Sequence, residues 1–406
     1  MGWVTQHPPR TDALESCVTC GLCLPVCPTF RITGDETASP RGRLAAMTVV
    51  DNGLAPVDER FRDIMSLCLQ CRACETACPS LVPFGETMEA ARSETRVQAP
   101  ERGSRLRRFV LVTVLQSRVM LRIATIGAAI LSRLHLLTRL PVVGTQAASL
   151  RRIPLPVTSA AGGSWGEAGN PLAILLSGCV ADVWFSSIHA ATIEVLVAAG
   201  YRVEAPKSQT CCGALASHGG FANDAEKMAR TNVAAFSDAE IVVADVAGCG
   251  AHLKAYGRFG DEAARIAAKV RDIDEVIAEA VADGRLPRLP PTGQEAAIQD
   301  PCHLEHGQRA NLSVDAVVAA AGYTPVPVDR GGLCCGAAGT YQLEHPEMSE
   351  TLGKQKAALL TDVGVTLIAS ANAGCEMQLR RYLEKTYTIK HPVELYAESL
   401  RTSDVG

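Results

Sequence analysis

The chain has 406 residues, enough for two or three domains that each bury a core of their own. Its 39 basic and 43 acidic residues nearly cancel and only 4% of positions are aromatic, so it offers neither the basic surface nor the stacking platforms of a nucleic-acid binder. No stretch supplies the roughly eighteen consecutive apolar residues of a spanning helix. The opening MGWVTQHPPR has no charged head before an apolar core and no twin arginine, and Gln6 breaks a myristoylation pattern, so the expected location is the cytoplasm.

The first 100 residues are organised by cysteine. Cys17, Cys20, Cys23 and Cys27 precede Pro28, and Cys68, Cys71, Cys74 and Cys78 precede Pro79. Each set is a C-x₂-C-x₂-C-x₃-C-P run. In a long chain without an export signal, such spacings favour metal-bound thiolates over disulfides. The run resembles that of bacterial ferredoxins, which hold [4Fe–4S] cubanes and draw the fourth thiolate of each from the other run. Carried onto this chain, the resemblance implies one cluster on Cys17, Cys20, Cys23 and Cys78 and a second on Cys68, Cys71, Cys74 and Cys27. Zinc sites use two C-x₂-C knuckles instead. Helix-like text between the runs makes residues 1–100 a mainly helical, two-cluster ferredoxin-like domain.

Residues 101–153 read as an arginine-rich helical segment, with ten arginines and no Asp or Glu between 102 and 152. On one continuous helix Arg107, Arg108, Arg118, Arg122 and Arg133 share an arc of about 100°. That arc suits a solvated face on a packed helix, an anionic membrane surface, or an acidic partner. The Pro/Gly/Ser/Ala-rich residues 154–171 read as a flexible linker.

The remainder is an internal repeat, with lobes at 172–284 and 295–400. Cys179 stands 32 positions before Cys211, and Cys302 stands 32 before Cys334. Both lead to a Cys-Cys-Gly triplet (Cys211-Cys212-Gly213, Cys334-Cys335-Gly336), and Cys249 and Cys375 close the copies. Apolar strand text (172–178, 201–205, 240–246; 296–300, 323–328, 365–371) alternates with helical text, which predicts parallel βαβ units with the cysteines gathered at the carboxyl ends of the strands. The expected fold class is α+β multidomain: a helical ferredoxin-like domain, then two pseudo-repeated α/β lobes. Adjacent cysteines cannot readily bridge to each other, and Gly213 and Gly336 free the backbone to turn there. Cys179, Cys211, Cys212 and Cys249, and likewise Cys302, Cys334, Cys335 and Cys375, are candidates for further iron–sulfur or zinc sites, with redox-inert thiols as the remaining alternative. His252, His303 and His306 lie near these sets as candidate ligands.

No G-x-G-x-x-G between strand and helix, no Walker A loop and no H-E-x-x-H is present. Clusters pass single electrons, so hydride chemistry belongs on a flavoprotein partner and no catalytic residue is expected in this chain.

The text CVTCGLCLPVCPTF (17–30), GDE (34–36), SPRGR (39–43), CLQCRACETACPS (68–80), CCGA (211–214), GCGAHLKAYG (248–257), CCGAAGTY (334–341) and ANAGC (371–375) resembles the iron–sulfur subunit of bacterial glycolate oxidase over nearly the whole chain. The resemblance implies an electron-transfer subunit working with an FAD-binding catalytic subunit and a second flavoprotein-like subunit. Glycolate would become glyoxylate, and electrons would reach a non-oxygen acceptor such as a quinone. Related carriers serve lactate and glycerol-3-phosphate dehydrogenases. The repeat also resembles heterodisulfide reductases, whose motif ends in C-x-x-C; here His252 and Gln378 stand at that last position.

Overall fold

The structure is a computed structural model that describes residues 2–101, 103–115, 117–133, 159–329 and 331–403. The first region is helical, as its text predicts, with helices Pro28–Thr33, Pro40–Asp51, Glu59–Ser66 and Phe84–Gln98 around a core of Leu14, Leu44, Met47, Phe61, Met65, Phe84 and Met88. Pro28 and Pro40 each occupy a first helical turn, where the missing N–H costs nothing. Ser39 caps the second of these helices by accepting from Gly42 N at 2.9 Å. A Cβ on Gly42 would lie 1.9 Å from Glu36 O, so only glycine fits there.

Both cysteine runs share one backbone path. Thr19 and Gly21 in the first run have φ of 56° and 83°, and Gln70 and Arg72 in the second have 55° and 65°. Left-handed residues between successive cysteines curl each run about a centre, at a cost of roughly 1–2 kcal/mol for each non-glycine.

The arginine-rich segment departs from its expected single stripe. It is helical over Ser104–Val114 and again over Arg118–Arg133, and the chain breaks between the two pieces, so the five arginines do not share one phase. Arg107 pairs with Glu344 at 2.6 Å, Arg108 with Asp224 at 2.9 Å, and Arg122 approaches Asp182 at 3.8 Å. These arginines tie the segment to the lobes instead of forming a basic outer face. Apolar residues also face outward: Val119, Ile123, Ile126 and Ile130 are exposed, as are Leu106 and Phe109, beside exposed Arg105 and Arg108. Helical phase fixes which residues share a face but not which face is inside. Residues 134–158 lie outside the described residues, and no described single helix is long and apolar enough to cross a membrane.

The linker reading is corrected where residues are described. Ser164–Trp165 forms β1, Ala160 is buried, and Ser159 donates to Asp182 at 2.7 Å. This stretch closes an edge of the first lobe.

Each lobe is a parallel sheet flanked by helices. In the first lobe β2 (Leu172–Leu175), β3 (Arg202–Glu204), β4 (Ile241–Ala244) and β5 (Val270–Asp272) run in the order β3-β2-β4-β5, with β1 antiparallel on β3. In the second, β6 (Glu295–Gln299), β7 (Thr324–Pro327), β8 (Leu367–Ser370) and β9 (Thr388–Lys390) repeat it as β7-β6-β8-β9. The two sheets are topological copies. They share one core, in which Ile188, Val195 and Leu196 meet Val314, Val317 and Tyr396. At the carboxyl ends Ala247 N donates to Ala371 O at 3.1 Å, and Gln308 Nε2 donates to Ala247 O at 3.1 Å and to Asp272 Oδ2 at 2.9 Å. The loops after β4 and β8 therefore abut. In an open sheet, sites form where neighbouring strands send their connections to opposite faces, here between β2 and β4 and between β6 and β8. Cys179 and Cys249 follow the first pair of strands, and Cys302 and Cys375 the second.

Candidate metal centres

The eight cysteines of the first region surround two adjacent cavities. Cys17, Cys20, Cys23 and Cys78 line one, together with Arg41, Leu44 and Phe84. Cys27, Cys68, Cys71 and Cys74 line the other, together with Arg43 and Gln70, and Cys74 also borders the first. Exposure divides the eight in the same way. Cys20 is exposed and Cys17, Cys23 and Cys78 are half-buried, whereas Cys27, Cys68, Cys71 and Cys74 are all buried. Burial pushes the Cys71 and Cys74 thiols well up. Such thiols stay protonated until a cation takes the thiolate, which is the behaviour of metal ligands. No two of the eight are joined.

Two arginines went unsingled in the sequence. Within Pro40-Arg41-Gly42-Arg43 the two guanidiniums fall one at each cavity. Arg41 pairs with Glu36 at 2.8 Å and donates to Thr19 O at 3.1 Å; buried Arg43 donates to Ile64 O at 3.1 Å and Thr29 Oγ1 at 3.2 Å. Their spacing across a tight glycine, in the first turn of a helix opened by Pro40, was the available signal. Each places positive charge beside thiolates that would carry negative charge. Gln70 N adds a hydrogen bond to Cys68 Sγ at 3.3 Å.

In each lobe the four repeat cysteines converge as pairs. Cys179 Sγ lies 3.2 Å from Cys211 Sγ and Cys212 Sγ lies 3.4 Å from Cys249 Sγ. Cys335 Sγ lies 3.0 Å from Cys375 Sγ, and Cys334 donates to Cys302. The S–H donors Cys179 and Cys212 hold the Cys211 thiol down, and Cys334 and Cys375 do the same for Cys335. Cys334 holds the Cys302 thiol down in the same way, so thiols that accept S–H hydrogen bonds ionise easily while their donors resist. Gly213 and Gly336 are left-handed, with φ of 92° and 79°. Among the described residues no three Cys, His, Asp or Glu converge as a ready site for a single ion.

The lobes support their sets differently. In the first lobe Tyr256 donates to Cys212 O at 2.6 Å and Asn232 donates to Cys211 O at 3.0 Å. In the second lobe Ser349 donates to Gly336 O at 2.8 Å, Asn372 Nδ2 donates to Cys375 Sγ at 3.2 Å, and buried Lys356 pairs with Asp329 at 3.0 Å below the loop to Cys334. The second lobe also meets the ferredoxin-like region. Leu69, Cys71 and Ala73 pack in one buried apolar cluster with Cys302, Cys334, Tyr341 and Leu352. Tyr341 Oη donates to Leu67 O at 3.0 Å, and Arg92 donates to Met65 O and Cys68 O on one side and to His218 O on the other.

The three histidines have different hydrogen-bond partners. His306 Nδ1 meets Thr76 Oγ1 at 3.1 Å, His303 bonds its neighbour Cys302, and His252 accepts from Arg258 at 3.3 Å. Gln378, at the position equivalent to His252, is held by Ser349 O and Ser349 Oγ at 3.1 and 2.9 Å.

Comparison with known proteins agrees with this division. Residues 13–82 match the model of the 4Fe-4S dicluster domain, and residues 173–254 and 296–380 each match the cysteine-rich domain. The probable glycolate oxidase iron-sulfur subunit of Bacillus subtilis is 32% identical over 92% of this chain and 89% of its own length. The glycolate oxidase iron-sulfur subunit of Escherichia coli is 29% identical over 95% of this chain and 94% of its own. Lactate utilization protein A of Shouchella clausii is 27% identical, over 52% of this chain and 93% of its own. A dicluster domain joined to two cysteine-rich domains, with such likeness along nearly the whole length, makes this an iron–sulfur protein, and the chain belongs to the family of glycolate oxidase iron–sulfur subunits.

Proposed function

We propose that this chain carries electrons for a flavin-dependent 2-hydroxyacid dehydrogenase, with glycolate as substrate, an FAD-binding catalytic subunit and a second flavoprotein-like subunit as partners, and a non-oxygen acceptor such as a quinone. One observation carries the reading: the eight ferredoxin-type cysteines sort, by cavity and by exposure, into an outer and an inner set. The outer set, Cys17, Cys20, Cys23 and Cys78, holds a [4Fe–4S] cluster near solvent, with exposed Val18 and Leu22 beside it as docking surface for the flavoprotein. The inner set, Cys27, Cys68, Cys71 and Cys74, holds the second. Bound there, the clusters supply single-electron exchange, and the chain's residues supply thiolates, burial and the Arg41 and Arg43 charges.

From the inner set the route continues into the second lobe, because Cys71 shares its apolar cluster with Cys302 and Cys334. The Cys302, Cys334, Cys335 and Cys375 set holds a further iron–sulfur centre. Its closeness to the inner ferredoxin-type set is what favours iron–sulfur over zinc there. The Cys179, Cys211, Cys212 and Cys249 set takes iron–sulfur or zinc. Replacing Cys20 or Cys71 with Ala abolishes acceptor-linked turnover while the flavoprotein still oxidises its substrate; unchanged turnover in both variants contradicts the reading.

The exposed apolar residues Val119, Ile123, Ile126 and Ile130 support a cytoplasmic protein resting peripherally on a membrane. The expected result is co-sedimentation with liposomes that persists in high salt. Binding lost in salt would assign the contact to arginines instead.

A further inference from the structure

A cavity of about 500 Å³ opens where the ferredoxin-like region and both lobes meet. Its walls include Gln70, His218, His252, His303 and Arg309, with Leu81 at the rim. No cysteine lines it, but its walls come from segments that carry three different cysteine sets. Gln70 lies between Cys68 and Cys71, His252 is one helical turn beyond Cys249, and His303 follows Cys302.

Three imidazoles from three separate segments converge there. The His218 ring stacks on that of His303 at 5.8 Å and meets that of His252 edge-on at 6.2 Å. Arg258 donates to His252 Nδ1, so the neutral ring carries its proton on Nε2. Neither that Nε2, nor His303 Nε2, nor either end of the Gln70 amide has a hydrogen-bond partner among the described residues. Buried polar groups are rarely left so, and these call for a ligand or ordered water. His218 Nδ1 lies 2.9 Å from Glu89, which also binds Arg258 and accepts from Ser217 Oγ. The groups facing His252 are Arg258, Glu89, His218 and His303; those facing His218 are Glu89, His303 and Arg92. Burial keeps both rings below their ordinary range. Leu81, 73% exposed, stands at the mouth together with exposed Glu86 and Arg309.

We propose that this cavity is the exit site of the electron path and binds the headgroup of a quinone, with His252 Nε2–H hydrogen-bonding a carbonyl and the protons entering from solvent past His218 and Glu89. The inference rests on the electron-carrier reading and adds the place at which its acceptor binds. A quinone becomes a quinol by taking two electrons, one at a time from the reduced iron–sulfur centres, and two protons. Each C=O becomes C–OH, the centres are reoxidised, and both protons come from solvent along the His218–Glu89 pair, while His252 stays neutral and only hydrogen-bonds the carbonyl. A quinone carbonyl is a strong acceptor for N–H groups such as His252 Nε2–H and the Gln70 amide. A disulfide, the other common two-electron acceptor, accepts hydrogen bonds only weakly and leaves those donors unmet. The Leu81 rim suits an apolar tail leaving the headgroup.

The test uses the full chain purified without oxygen. Its oxidised form is titrated with a fluorescent heptyl-hydroxyquinoline N-oxide, a quinone-headgroup analogue. Its reduced form is mixed with menadione, or separately with ferricyanide, which needs no site and takes no protons. Expected are saturable quenching and saturable oxidation by menadione. His252→Gln and His218→Gln lower the ratio of menadione to ferricyanide rates by about tenfold or more, and Leu81→Asp, at an exposed position, weakens analogue binding by about tenfold. Menadione oxidation linear in concentration, with analogue quenching absent or unchanged in the variants, overturns the proposal. So does oxidation by a small disulfide where menadione gives none. A chain that cannot be reoxidised even by ferricyanide counts against the electron-carrier reading, and the analogue titration then still decides the cavity.

Discussion

The two lobes repeat one topology, strand for strand, yet their cysteine sets sit in unlike company. The first-lobe set is enclosed by its own lobe, where Tyr256 and Asn232 bind the carbonyls of Cys212 and Cys211. The second-lobe set packs against Cys71 of the ferredoxin-like region. Duplication supplies two equivalent scaffolds, and the docked first region makes them inequivalent. The buried supports differ accordingly. Counted from the Cys-Cys-Gly triplets, Asp329 and Lys356 of the second lobe correspond to Pro206 and Val233 of the first. One lobe holds its cysteine loop with an ion pair and the other with neutral hydrogen bonds from Asn232 and Tyr256.

The largest expected effect breaks that pair. Lys356→Met strands Asp329 beneath the loop and costs about 3–5 kcal/mol, read as a lowered denaturation midpoint with loss of metal from the second lobe. Glu89→Gln comes next. It removes the carboxylate that joins the ferredoxin-like region to Arg258, His218 and Ser217 of the first lobe. Burial opposes the ionised form, but Arg258 and then His218 outweigh it and hold the Glu89 carboxyl well below its ordinary value. A depressed acid stabilises above its unfolded pKa and loses that contribution as pH falls through the folded one. Wild type should therefore lose stability on acidification from about pH 4.5, whereas Glu89→Gln should be weaker at neutral pH and flatter in acid. Denaturation midpoints across pH measure both.

The glycines after the cysteine pairs sharpen the comparison. A Cβ on Gly336 would lie 2.6 Å from Ser349 O, but one on Gly213 would be 3.4 Å from its nearest neighbours. Gly336→Ala carries backbone strain and a clash, about 2–4 kcal/mol, while Gly213→Ala carries mainly strain, about 1–2 kcal/mol. Thermal midpoints rank them. The smallest effect concerns two tyrosines placed alike after the closing cysteines. Tyr256 binds Cys212 O, and Tyr382 Oη has no partner among the described residues. Tyr256→Phe should cost about 1 kcal/mol and Tyr382→Phe nothing measurable.

Most of the lobe architecture was legible because parallel, doubly covered strands are written as apolar runs such as LAILL and IVVA. β5 and β9 escaped notice: VRD and TIK are three residues long, half-polar, and recognisable only by pairing with β4 and β8. The cysteine spacings announced the metal sets. They said nothing of how the sets face one another, since Cys71 meets Cys302 across 231 positions of chain. The arginine segment misled because a helical wheel cannot know which side is covered. There Asp182, Asp224 and Glu344 from distant elements draw the charges inward. Arg41 and Arg43 matter through the cavities they reach, which only the fold discloses.

The most direct test is iron, acid-labile sulfide and zinc per chain, measured on protein purified without oxygen, for wild type and Cys335→Ser. The account predicts more than about eight irons with matching sulfide in wild type, since each cubane holds four, and loss of iron from the second lobe in the variant with the ferredoxin-type eight retained. Zinc with little iron in wild type would contradict it.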